Sequence, residues 1–301
     1  MKVSVLVPVF NGKQHLAECL ESILTQDFQD LEILVGDDGS TDGSQEIAKT
    51  FAIRDRRVRC WQNPHNLGLT ENSNACLGAA SGEYIKFVHQ DDKLLSGSAI
   101  SKMVTALDEH PAASLVGCRQ HLTGTAKTPT AFFNHSGCYD GRRVVVACLE
   151  RNTNLIGQPT LTLFRRLQAQ RGFDRRFTGM MDFEMWCHLL EQGDFVYLDE
   201  ALATWRVHDA HQTARAQAGG LANDEQLRFM EIYHLKPWLR ELATDRMWFT
   251  QVYYLRKNYG AKADALASAM LAHLSRRRYA WQWLKHRISR PAQKLSRKLR
   301  Q

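Results

Sequence analysis

Two adjacent aspartates at the end of an apolar run, in Val35-Gly-Asp-Asp-Gly-Ser-Thr-Asp42, constrain this chain more than any other feature. The preceding Leu31–Gly36 is mostly apolar on both alternating faces, the mark of a strand covered on both sides of a parallel sheet. Its carboxylates must emerge where the strand stops. Gly39 and the small hydroxylated residues after it make a tight polar turn, and Ser40 or Thr41 with Asp42 can cap a helix running to about Phe51. A polar floor of this kind, at the carboxyl edge of a parallel sheet, suits a nucleotide base and ribose.

The surrounding pattern supplies such a sheet. Residues 3–10 read as a buried strand, and residues 13–25 place Leu16, Cys19, Leu20, Ile23 and Leu24 on one helical face. Arg57–Trp61 is a third strand. A helix from near Leu69 carries Ala75, Leu77, Ala79 and Ala80 and is ended by Ser81-Gly82, and Tyr84–His89 is a fourth strand. Alternation at this pitch means βαβ units with right-handed crossovers. A helix over Ser98–Asp108, stopped by Pro111, leads to a fifth strand at Ala113–Arg119. Residues 120–142 read as strand edges and loops. Thr160–Phe164 reads as a strand, Asp182–Gln192 as a helix, Phe195–Leu198 as a strand, and the pattern after about residue 219 as helical throughout. The expected division is an α/β domain over 1–215 and a helical extension over 216–301, with no internal repeat.

Charge separates the two ends of the molecule. From Ala265 to Gln301 there is no Asp or Glu but ten Lys or Arg, so the formal charge of +7 leaves about −3 for the rest. Within that tail Trp281, Leu284, Ile288, Leu295 and Leu299 recur at spacings of three, four or seven, and Pro291 divides the pattern into two short helices. A basic amphipathic helix with Trp on its apolar face suits an anionic bilayer surface. The rival reading is a helix packed on its own domain with solvated charges. Nucleic acid is not the expected partner, since no nucleic-acid fold accompanies the charge. No apolar run approaches the ~20 residues of a membrane span. Lys2, the strand-like Val/Leu alternation and Pro8 do not resemble a signal peptide. The seven cysteines are odd in number and form no C-x-x-C pair, so reduced, mostly buried thiols are expected. The expected location is cytoplasmic, peripheral at the inner face of the cytoplasmic membrane.

Beyond Val35–Asp42, the chain carries Val3-Ser-Val-Leu-Val-Pro-Val-Phe-Asn11, Asn63-Pro-His-Asn-Leu-Gly68, Gly82-Glu-Tyr-Ile-Lys-Phe-Val-His-Gln-Asp-Asp92, Gly179-Met-Met-Asp-Phe-Glu-Met-Trp-Cys-His-Leu190 and Trp205-Arg-Val-His208. In this combination and order they resemble the family 2 glycosyltransferases, over roughly residues 1–210. The resemblance implies the GT-A nucleotide-diphospho-sugar transferase fold, a Rossmann-like, mostly parallel sheet flanked by helices. It also implies inverting transfer of a sugar from a nucleotide-sugar donor, UDP- or dTDP-linked by preference, to an acceptor hydroxyl in surface polysaccharide or lipid-linked glycan synthesis. The implied cofactor is Mg²⁺ or Mn²⁺.

The resemblance also assigns roles. Pro8, Val9, Phe10 and Asn11 would contact the base, with Phe10 against its face, and Asp38 would accept the N3–H of uracil or thymine while Asp37 holds the turn. Asn66, Gly68 and Asn74 match the block beside the nucleotide, although Ser73 stands where many members have Arg. His89-Gln90-Asp91-Asp92 occupies the D-x-D position with His89 in place of the first acid. That leaves Gln90 and Asp91 for the nucleotide and Asp92, with Asp91, for the metal. Asp182 would be the general base, with Met181 replacing the usual acid before it and Glu184 held in reserve; its rival reading is a helix cap. His208 would meet the metal or diphosphate, and Arg206 would steady the acidic groups, with His211 and Gln212 on the same loop. Two other functions stay open: a nucleotide-sugar-binding protein without turnover, and a membrane-surface adaptor using only the tail.

Overall fold

The computed structural model describes residues 1–124, 133–206 and 222–272. They fall into two compact units, residues 1–144 with 155–222 and residues 145–154 with those from 223 onward.

The first unit is built on β1 (Val3–Val9), β2 (Leu31–Asp37), β3 (Val58–Gln62), β4 (Tyr84–Phe87), β5 (Ala113–Thr123), β6 (Gly137–Tyr139), β7 (Thr162–Arg165) and β8 (Asp194–Arg206). They form one sheet in the order β3-β2-β1-β4-β7-β5-β8-β6. β1, β2, β3 and β4 are mutually parallel, whereas β7 runs antiparallel to β4 and β5, and β6 antiparallel to β8. The sheet is thus mixed but mostly parallel, as the motif order implied. Val3, Val5, Val7, Ile33 and Val35 pack with Leu16, Cys19, Leu20, Ile23, Ile100, Met103 and Leu107 into a core without solvent access. Those helical residues belong to α1 (Leu16–Leu24) and α4 (Ala99–Asp108); α2 (Ser44–Arg54) and α3 (Leu69–Ala79) complete the early crossovers.

Several boundaries depart from the pattern reading. α2 starts one turn later than its hydroxyls suggested, at Gly43 with φ 97°, because Asp42 spends its carboxylate on the Ser44 and Lys13 amides at 3.0 and 2.9 Å. β8 runs on to Arg206 past the charged Asp199 and Glu200, since a register shift opposite Cys118–Gln120 lets those residues bulge out. Helix α5 (Gly141–Arg151) begins inside the segment expected to end in loops, and α6 spans Met181–Leu190.

In the second unit α7 (Ala222–Tyr233), α8 (Pro237–Leu242), α9 (Asp245–Tyr259) and α10 (Asp264–Leu271) gather with the later part of α5. Thr244 caps α9 by accepting the Met247 amide at 3.1 Å, and Gln251 donates to the Leu149 carbonyl at 2.7 Å. The seven cysteines are free, five of them buried. No helix among the described residues is long and apolar enough to cross a membrane.

Candidate active site

The carboxyl ends of β2, β1 and β4 lie side by side, and most of the motif residues meet there. Asp37 closes the turn as expected: its carboxylate accepts the Ser40 amide at 3.2 Å and Gln62 Nε2 at 2.7 Å, and the Ser40 hydroxyl also donates to it. Asp38 is buried and accepts from Asn63 Nδ2 at 2.9 Å, the Leu67 amide at 2.8 Å and the Gly68 amide at 2.9 Å. It therefore holds the loop after β3. Two carboxylate oxygens offer about four acceptor positions, so these three donors leave one. Asn66 Oδ1 accepts the same Gly68 amide at 3.0 Å, and Gly68 opens α3 at φ 84°, where a side chain would be strained.

Two asparagines to which the motif reading gives no role complete this floor. Asn63 Nδ2 also donates to Asn72 Oδ1 at 3.0 Å, and Asn72 Nδ2 donates to the Gly36 carbonyl at 2.8 Å. Helical spacing is the available signal, because α3 turns Asn72 and Ser73 inward, and both are buried. Asn74 goes elsewhere. Its amide donates to the Phe173 carbonyl at 3.0 Å and accepts the Phe173 amide at 2.7 Å, so it clamps the turn before α6.

At the end of β1, Pro8 and Val9 are buried and pair with Gly36 and Asp37, leaving the backbone as their contribution to the edge. Phe10 is 37 % exposed. Asn11 adopts φ 50°, fixed by its amide on Ser40 Oγ at 2.8 Å and by Thr41 donating to its Oδ1 at 3.0 Å. Gln90 ties this end to β4, accepting the Phe10 amide at 2.8 Å and donating to the Phe10 carbonyl at 3.0 Å.

The acidic pair follows directly. Asp92 is 4 % exposed; Thr160 Oγ1 donates to its Oδ2 at 2.7 Å and the Arg206 amide to its Oδ1 at 2.8 Å. Burial, with repulsion from Asp91 added, pushes its carboxyl up to about 7. Asp91 is less buried, and its carbonyl accepts Arg206 Nε at 2.8 Å. The guanidinium continues to Glu18 at 2.7 Å, so Arg206 joins β8, the acidic turn and α1. Lys93–Leu95 pairs back on Leu202–Thr204 of β8, which brings Arg206 beside the acidic turn. His208, His211 and Gln212 lie outside the described residues.

Asp182 stands in the first turn of α6, partly exposed, with the Phe183 amide on its Oδ1 at 2.7 Å. Thr70, in the first turn of α3, secures this helix start by donating to the Phe177 carbonyl at 3.0 Å and to Met181 Sδ at 3.4 Å. Met181 is therefore a packed residue. Glu184, the reserve candidate, is buried and paired with Arg171 at 2.6 Å.

Among the described residues no group of three His, Cys, Asp or Glu forms a ready metal cage. What is present is a pair of adjacent carboxylates, Asp92 buried and Asp91 partly exposed. That fits a hard divalent cation, which takes one or two carboxylates and completes its shell with phosphate and water.

The fold and this edge define a nucleotide-diphospho-sugar transferase type of architecture. The model of the family described as Glycosyl transferase family 2 matches residues 4–147. EpsE of Bacillus subtilis, named as a glycosyltransferase, is 33% identical over 210 residues, covering 67% of this chain and 71% of that protein. The chain belongs to glycosyltransferase family 2. The GalNAc(5)-diNAcBac-PP-undecaprenol beta-1,3-glucosyltransferase of Campylobacter jejuni is 38% identical over 217 residues, 68% of this chain and 65% of that one. Coverage of other relatives' lengths falls as low as 13%. Among solved structures, residues 1–349 of Staphylococcus aureus TarS in complex with UDP-GlcNAc superpose with a TM-score of 0.68 at 18% identity, covering 92% of this chain and 83% of that one. The mannosyltransferase PcManGT of Pyrobaculum calidifontis, in complex with GDP-Man and Mn²⁺, gives 0.63 at 18% identity, covering 95% and 84%.

Proposed function

We propose that this protein transfers a sugar, with inversion, from a nucleoside-diphosphate donor to an acceptor hydroxyl. The observation that carries the proposal is the placement of carboxylates at the ends of β2 and β4 on either side of the end of β1, at one sheet edge. The base would lie between Phe10 and the loop that Asp38 holds, with the remaining acceptor position of Asp38 for the imide N–H of uracil or thymine. The TarS complex supports a UDP-linked donor, whereas the PcManGT complex pairs the same fold with a purine, so the base preference rests on Asp38.

The diphosphate would lie over Asp91 and Asp92. Burial makes Asp92 the anchor, so Asp91 would make the direct metal contact, with His208 as a further ligand. A divalent cation held there would neutralise the charge developing on the leaving diphosphate. Asp182 would take the proton from the acceptor hydroxyl as its oxygen attacks the anomeric carbon and the nucleoside diphosphate departs from the opposite side. Residues 1–215 would carry the chemistry and 216–301 the helical extension. The undecaprenol-linked substrate in the Campylobacter relative's name supports a lipid-linked glycan acceptor, which would place the protein at the cytoplasmic membrane surface.

A donor panel read by nucleoside-diphosphate release tests this. UDP- and dTDP-sugars should be turned over in preference to GDP- and ADP-sugars. Release from none of them, with tight binding retained, would favour a nucleotide-sugar binder, the reading suggested by His89 and Met181. Release from purine donors alone would remove the role given to Asp38.

A further inference from the structure

Lys86 has no part in the site so far, yet among the described residues it is the only buried lysine. It stands in β4 between Ile85 and Phe87 and is fully buried. A buried ammonium is costly, and an aliphatic residue would fill this position without that cost. Its Nζ donates to the Thr162 carbonyl at 3.1 Å and to the Thr160 carbonyl. The location explains the need. β4 and β7 pair only at Tyr84–Arg165 and Ile85–Phe164; towards the catalytic edge the ladder ends, and the lysine side chain bridges the two segments in its place.

Thr160 is held at its other end too. Its hydroxyl accepts the His89 amide at 3.1 Å and donates to Asp92 Oδ2 at 2.7 Å. The connection therefore runs Lys86, Thr160 carbonyl, Thr160 hydroxyl, Asp92.

We propose that Lys86 is a positioning residue for the acidic pair: by gripping the Thr160 carbonyl it fixes the hydroxyl that orients Asp92, and so the geometry in which Asp91 and Asp92 receive the donor's diphosphate and cation. This rests on the glycosyltransferase reading above. Asp92 is steered from two sides, Thr160 on one oxygen and the Arg206 amide on the other. Loss of the lysine leaves two carbonyls without their donor and lets the Thr160 segment shift, which frees one of those two constraints. Burial lowers the lysine to about 8, so the ammonium form persists at neutral pH.

The test is calorimetric titration of the full chain with UDP, with and without Mn²⁺, using Lys86→Met, Thr160→Val and the double variant. The Mn²⁺-dependent part of the affinity should fall at least ~10-fold in each single variant, since each removes a buried, charge-assisted link. The double variant should be little worse than the weaker single one, because both break the same connection. Metal-free UDP affinity should stay close to wild type, which general unfolding would not allow. Lys86→Gln keeps two donors without the charge and should fall between wild type and Lys86→Met. Wild-type Mn²⁺ dependence in folded Lys86→Met overturns the proposal, as do losses that multiply in the double variant. If Lys86→Met does not fold, wild-type Mn²⁺ dependence in Lys86→Gln overturns it instead. A wild-type chain that binds no UDP in either condition overturns the underlying glycosyltransferase reading. Wild-type UDP binding that ignores Mn²⁺ overturns the positioning role alone.

Discussion

At the residue scale, Asp92 is a carboxylate whose burial works against its own charge. Burial and then Asp91 raise it from 3.8 to about 7, while the Thr160 hydroxyl and the Arg206 amide pull the other way. Below pH 3.8 it is protonated in folded and unfolded chains alike, and it costs nothing. Between 3.8 and about 7 the unfolded chain ionises first, so its contribution becomes increasingly destabilising, and above about 7 the cost is complete. A shift of this size bounds that cost at ~4 kcal/mol. Asp92→Asn should therefore gain stability over wild type as the pH rises from 4 to 7 in urea unfolding, and lose Mn²⁺-dependent nucleotide binding. The comparison with wild type matters, because Asp174 and Glu32, both depressed, contribute the opposite slope. An unchanged difference between the two proteins across that range would count against a buried, charged Asp92. Asp182 calls for a kinetic test. If Asp182 is the proton acceptor proposed above, Asp182→Asn should lower turnover by at least ~10²-fold with donor affinity nearly intact. A destabilised but fully active variant would mean that the residue only supports the start of α6.

At the scale of elements, the site depends on how α3 and α6 are tied together. Asp38 holds the Gly68 amide, α3 begins there, and Thr70 two residues on grips the Phe177 carbonyl and Met181 ahead of Asp182. Thr70→Val keeps the shape and removes the hydroxyl. It should cost about 1–2 kcal/mol in thermal or urea unfolding, and it should reduce kcat more than donor affinity. A variant that loses donor affinity at unchanged kcat would place the start of α6 outside this connection. Much of this frame is legible in the sequence, because unbroken apolar runs such as Val3–Val9 and the helical spacing of Leu16, Leu20 and Ile23 are local signals. The aspartate pairs are legible for the same reason, since each ends such a run. Non-local placement is not. Nothing near Thr162 announces that β7 will run antiparallel between β4 and β5, and so Thr160 beside Asp92 could not be read. Lys86 looks like an interruption in a strand until its carbonyl partners are known. Asp199 and Glu200 look like the end of a strand, whereas a bulge carries β8 through them to Arg206. Motif position singles out Asn74, whereas the turn of α3 sends Asn72 to the Gly36 carbonyl and Asn74 to the Phe173 backbone.

At the scale of the whole molecule, the remaining question is how a chain without a spanning helix among its described residues would meet a lipid-linked acceptor. The sequence offers one device, the tail after about Leu274, which lies outside the described residues and joins ten basic residues to the apolar series from Trp281 to Leu299. Two forces should act together at an anionic bilayer. Each basic residue near the surface contributes ~1 kcal/mol, and the Trp and Leu side chains add burial in the interface. The two forces respond differently to salt. Screening shortens the reach of the charges to a few ångströms at ~1 M but leaves apolar burial in place. Removal of the residues after Leu274 should therefore shift the protein from membrane to soluble fraction, and sedimentation with liposomes should show binding to anionic but little to neutral vesicles. High salt should weaken that binding without abolishing it. Nucleotide affinity in the shortened protein should match the full chain, which separates loss of the membrane contact from loss of the fold. Equal binding to neutral and anionic vesicles, or none to either, would leave the tail as a packing or partner-binding helix and return the question of acceptor access to the catalytic unit itself.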